Sequence, residues 1–175
     1  MKTYIVFLRG INVSGQKKIK MVNLRTSLEK VGFKNVLTYI QSGNILVDSE
    51  ETIASISKLI KEVILKDFGF NVPVLVMHKD NIEQILKNYP FKMAEEKNQY
   101  FVLLYDKVDK LAAANFNKLE FSTEDFLISK DCVYLNCKQG AGKAKLNNNL
   151  VERKLKVTAT TRNLRTLRKM LVLSS

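Results

Sequence analysis

Tryptophan is absent from this 175-residue chain, histidine occurs once, and cysteine and proline occur twice each. Each scarcity removes a class of function. With His78 as the sole histidine, a histidine-based triad has one candidate base and no motif around it, and a structural residue at a strand end is the plainer role. One histidine and two cysteines do not supply the three or four ligands of a metal site, so neither metal nor cofactor is expected. Cys132 and Cys137 lie five apart within one strand and point to opposite faces, which predicts free thiols and a cytoplasmic setting. The longest apolar runs, "YIVFL" and "VPVLVM", fall far short of the ~20 residues that cross a bilayer, so no membrane partner is expected. The apolar start is also too short for a signal peptide, because it meets Arg9 at once. Acidic residues are few, 17 against 29 Lys plus Arg, a net charge of +12. Apolar residues, by contrast, are plentiful at 46%, which excludes disorder and suits one domain or two small packed ones.

The positive charge is uneven. Residues 1–50 carry eight basic and three acidic side chains, a net +5, and residues 51–100 carry seven of each. Residues 101–140 are net −1, and residues 141–175 set nine basic side chains against Glu152 alone, net +8. Two basic ends around a neutral middle suit one patch for an anionic partner. Two separate solvated faces are the alternative.

Hydrophobic periodicity predicts a strand at 3–9, a helix at 21–32, two strands in "NVLTYI" and "NILVDS", a helix at 51–67 and an edge strand in "VPVLVMH". That order is βαββαβ, a ferredoxin-like arrangement. A helix at 80–89 leads to a second series: strand "QYFVLLYD", helix 108–118, hairpin "FLISKD" and "VYLNC", helix 143–154 and a last helix at 162–172. The β-prone stretch "VTATT" lies between those last two helices. The expected architecture is α+β, two ferredoxin-like halves packed as a structural duplication. The first half covers 1–78, a connecting helix and loop 79–98, and the second half 99–175. Strand 3–9 has no polar face before Arg9, so both of its faces need cover, and the other half is the obvious source.

In a βαββαβ unit the first two strands run the same way, so the loop after the first and the hairpin after the second share one end of the sheet. Arg9, Gly10, Asn12, Lys17 and Lys18 of "RGINVSGQKK" are thereby placed beside Gln41, Ser42, Gly43 and Asn44 of "QSGN". Such glycine-bearing turns offer backbone amides to an anion, and Arg9 and the lysines add charge. Alternatively the glycines only permit left-handed turns and the Asn and Ser side chains cap them.

At these residues the chain resembles the bacterial domain-of-unknown-function family 1697. "LRGIN", "TYIQSGN" and "TTRN" follow in that family's order across nearly the whole chain. The resemblance implies a cytosolic α+β protein with duplicated ferredoxin-like halves and no established activity, so no catalytic residue carries over. Its motifs mark Arg9, Gly10, Asn12, Gln41, Ser42, Gly43, Asn44, Thr161, Arg162 and Asn163.

The basic C-terminal segment offers two further features. "QGAGKAKL" places Lys143 and Lys145 at a strand-to-helix turn, where a helix N-terminus can hold phosphate. It lacks the spacing and the Ser or Thr of a Walker A loop, and Lys143 lacks the fork an arginine would give a cysteine-phosphatase loop. In the last helix Leu164, Leu167 and Leu171 form an apolar stripe, with Arg162, Arg165, Arg168 and Lys169 on another face and Thr160 or Thr161 as N-cap. The RNA-recognition variant of the ferredoxin fold stacks bases on exposed strand aromatics, and "NILVDS" has none. The expected function is a non-enzymatic binding module for a phosphate-rich partner, RNA or DNA, working through loops and the basic helix. An enzyme acting on a small phosphorylated or anionic metabolite, between "RGIN" and "QSGN", is the first alternative. A protein–protein module is the second.

Overall fold

The computed structural model describes residues 1–175 as a mixed α+β chain with two four-stranded antiparallel sheets. It divides into two compact units, residues 1–83 with 170–175, and residues 84–169. No helix is long and apolar enough to cross a membrane.

In the first unit β1 (Lys2–Leu8), α1 (Met21–Lys30), β2 (Lys34–Tyr39), β3 (Asn44–Ser49), α2 (Ile53–Phe68) and β4 (Val74–Met77) give a sheet ordered β2-β3-β1-β4. Strand alternation sends Tyr4, Val6, Leu8, Ile45 and Val47 into one core with Leu24 and Leu28 of α1 and Ile56, Ile60 and Ile64 of α2. Ile5, Phe7 and Leu46 on the opposite face are buried as well. Thr52 caps α2 by accepting from the Ser55 N–H, and Gly69 at φ +74 ends it. Pro73 precedes β4, which lies at a sheet edge, where its missing N–H costs no ladder bond.

After α3 (Lys79–Lys87), the second unit repeats the pattern with β5 (Gln99–Leu104), α4 (Lys110–Phe116), β6 (Glu124–Ile128), β7 (Cys132–Cys137), α5 (Asn148–Leu155) and β8 (Ala159–Asn163), followed by α6 (Leu164–Leu173). Its order, β6-β7-β5-β8, matches that of the first sheet. Val102, Leu104, Val133, Leu135 and Ala159 pack on Phe116, Val151 and Leu155 of the helices. On the other face Tyr89 packs its ring on Phe101 and Tyr134 and donates its hydroxyl to the Leu135 carbonyl. Cys132 and Cys137 are free and buried, on opposite faces of β7.

Most helix ends move by one or two residues, and two shifted starts change the role of named residues. The helix expected at 143–154 starts only at Asn148, because Ala141–Lys143 form a short 3₁₀ turn and Asn147 is the cap, accepting from the Leu150 N–H. The last helix starts at Leu164 rather than 162: residues 159–163 pair with β5, taking Thr160 and Arg162 into a strand. Its cap is therefore Asn163, which accepts from the Thr166 N–H, and not Thr160 or Thr161.

Candidate functional site

In the first unit the two motif loops meet. The Leu8 N–H donates to the Gly43 carbonyl at 2.8 Å, and the Arg9 N–H to the Pro73 carbonyl at 3.1 Å. Asn12 ties the loops together. Its Nδ2 donates to the carbonyls of Gln41 at 2.8 Å and Ile19 at 3.0 Å, while its Oδ1 accepts from the Ile19 N–H at 2.8 Å. Fully buried Asn44 donates to the Tyr39 carbonyl at 3.0 Å and to Ser42 Oγ at 2.9 Å. The loop from Gly10 to Lys17 takes left-handed backbone at five positions, Gly10, Asn12, Ser14, Gly15 and Lys17. Lys17 Nζ donates to the Asn71 carbonyl at 2.9 Å. Asn12, Gly43 and Asn44 thus hold the chain itself in shape. Gly10, Lys18 and Gln41 are exposed, and Arg9, Lys17 and Ser42 are half-buried.

In the second unit the TTRN residues also build structure. Arg162 is 7% exposed, with Nη1 donating to Thr160 Oγ1 at 2.7 Å and to the Thr161 carbonyl at 2.9 Å. Burial pushes its guanidinium down to about 10, against the opposing pull of Tyr105. Thr161 Oγ1 donates to Asn148 Oδ1 at 2.9 Å, and Asn163 caps α6. Arg162, expected on the basic face of a helix, is instead a buried residue of the edge strand β8. Arg165, Arg168 and Lys169 remain exposed at helical spacing on α6, and Arg168 pairs with Glu96 at 2.6 Å. Lys143 and Lys145 are exposed in the loop before α5.

That loop is held by a residue that carries no local signal of its role. Glu124, 4% exposed, accepts from the Lys145 N–H at 3.1 Å and the Thr123 hydroxyl at 2.9 Å through Oε1, while Oε2 has no partner. In "STEDF" it reads as a surface acid. Only its pairing with Cys137 across the β6–β7 ladder reveals an inward position. Two clefts, of about 520 and 540 Å³, are lined by none of the loop and helix residues singled out from the sequence.

No curated protein matches the chain. It is similar in structure to a conserved bacterial protein, SP0830, from Streptococcus pneumoniae, with a TM-score of 0.76 and 22% sequence identity. The likeness covers 99% of this chain and 98% of that one, and it establishes a shared fold. A family model described as a protein of unknown function, DUF1697, matches residues 1–134. "LRGIN" and "QSGN" lie inside that match, and "TTRN" lies beyond it. With more than half of its length matched, the chain belongs to the DUF1697 family.

Proposed function

We propose that this protein is a non-enzymatic binding module for RNA or DNA, built from two ferredoxin-like halves related by duplication. Support for the duplication is the shared layout: in each sheet the first strand lies between the third and the fourth, with two helices on one face. Two free, buried thiols suit a cytoplasmic setting.

One observation carries the binding reading. Of the nine basic side chains in residues 141–175, the fold buries Arg162 alone and leaves eight exposed. The single acid of that segment, Glu152, is half-buried and accepts from the Ala159 N–H at 2.8 Å. Arg165, Arg168 and Lys169 line one face of α6, the arrangement that neutralises successive phosphates. In the first unit, taken by itself, Lys18 is an exposed cation of the motif loop.

Titration of fluorescent single-stranded RNA and duplex DNA tests this. If about four phosphates are neutralised, affinity falls about 50-fold for the single strand and about 150-fold for the duplex between about 50 and about 200 mM salt. Arg165→Glu with Lys169→Glu, which leaves the Arg168–Glu96 pair intact, weakens binding at least about tenfold and flattens the salt dependence. Unchanged affinity in that double variant refutes the α6 interface.

A further inference from the structure

The 520 Å³ cleft of the second unit lies between the turn at 91–98 and the β6 and β7 strands, and it is built unlike the basic surface. Asn98 is 7% exposed and Asn136 is 9% exposed, and both line it. Asn136 Nδ2 donates to Asp125 Oδ2 at 2.9 Å, which leaves its Oδ1 unmatched. No protein group meets either end of the Asn98 carboxamide. The free ends of both carboxamides still reach the solvent of the cleft, so they are presented to whatever group enters it.

The charges decide what kind. Lys138 Nζ is held by Asp125 Oδ1 at 2.8 Å, an ion pair that keeps the Asp125 carboxyl below its usual range, and Glu95 is paired with Lys97 at 2.8 Å. The interior is therefore electrically balanced, and Lys92 at the rim is the lining charge without a partner. An anion entering the cleft would meet the Asp125 carboxylate. A neutral, flat group with adjacent donor and acceptor suits it better. Phe91, edge-packed on Tyr89 at 5.5 Å, supplies apolar wall for such a ring.

We propose that this cleft holds a nucleobase, with the Asn98 carboxamide on a donor–acceptor edge such as that of adenine, and Lys92 near an attached phosphate. The base comes from a free nucleoside or nucleotide, or from a nucleic-acid strand. The cleft assignment does not rest on the α6 reading. Calorimetric titration with adenosine, AMP and single-stranded oligoadenylate tests it on the wild type, Asn98→Leu and the α6 double variant. Adenosine binds the wild type and the α6 variant alike, and Asn98→Leu loses at least about tenfold in affinity for it. The Asn98→Leu melting temperature stays level or rises, since the carboxamide has no protein partner to lose. Near-equal affinity for adenosine and oligoadenylate identifies a free-nucleoside site, whereas much tighter oligoadenylate binding, still lost in Asn98→Leu, identifies a strand. The proposal is overturned if no probe binds, or if every probe binds Asn98→Leu as well as wild type, even where the α6 variant loses oligoadenylate.

Discussion

Gly43 shows how much a motif residue can mean at a single position. Its φ of +76 favours glycine, and a Cβ there would lie 2.6 Å from Leu8 Cβ and 3.1 Å from Ile11 Cδ1. Gly43→Ala is therefore expected to cost about 2–4 kcal/mol, adding overpacking to left-handed strain, as urea unfolding would measure. A loss under about 0.5 kcal/mol would show that the turn relaxes freely. Asn12 belongs to the same account, since all three of its side-chain bonds go to backbone groups. The sequence made these two loops neighbours through the handedness of the crossover. Capping of these turns by the asparagines was legible as an alternative, but the partner was not, because Gln41 is 29 residues from Asn12 and nothing local marks it as the acceptor. The cleft asparagines were equally hidden: Asn98 and Asn136 look like ordinary turn and strand-end residues until burial singles them out.

Among the elements, helix and strand cores were legible and the ends were not. Apolar spacing in α1 and α2 matches the buried residues closely, because a one-sided core enforces the 3.6-residue period. The 159–163 segment is only half legible: "VTATT" reads as β-prone while Arg162 and Asn163 read as the start of the last helix, yet β5 carries the ladder through them. Tertiary pairing overrode local preference there. The exit of α5 carries a correctable strain: Lys156 ends it at φ +54, a conformation that glycine adopts without penalty. Lys156→Gly is expected to raise stability by up to about 1 kcal/mol in thermal or urea melts. A destabilisation of similar size would mean that the lysine side chain contributes more than its backbone costs.

For the molecule as a whole, +12 counts every cation alike, wherever the fold puts it. The fold removes Arg162 from the surface and sets Glu96 against the still exposed Arg168, so the net charge offered to an anion is smaller than the composition implies. It also guards the edges of its first sheet. β2 breaks register between Lys34 and Leu37, with Asn35 at φ +48, and Pro73 stands at the start of β4. Irregular edges of this kind make poor templates for pairing with another chain. Composition signalled an anionic partner. The balanced cleft lay beyond its reach, because neutrality there arises from pairs between residues remote in sequence, such as Asp125 with Lys138.

The two thiols of β7 give the second unit its own clock. Cys132 is wholly enclosed and its thiol held far above the usual range, and burial pushes Cys137 up to about 11, with Glu124 adding to the effect. At pH 8 a group titrating there is about one-thousandth thiolate, so a disulfide reagent must wait for the strand to open. Cys137 stands at the end of β7 and Cys132 at its start, on the other face. Labelling followed by mass spectrometry is expected to be slow in native buffer, and to accelerate in urea in step with loss of the second sheet. Rapid native modification of either sulfur would mean that β7 opens far more often than its place inside the sheet suggests.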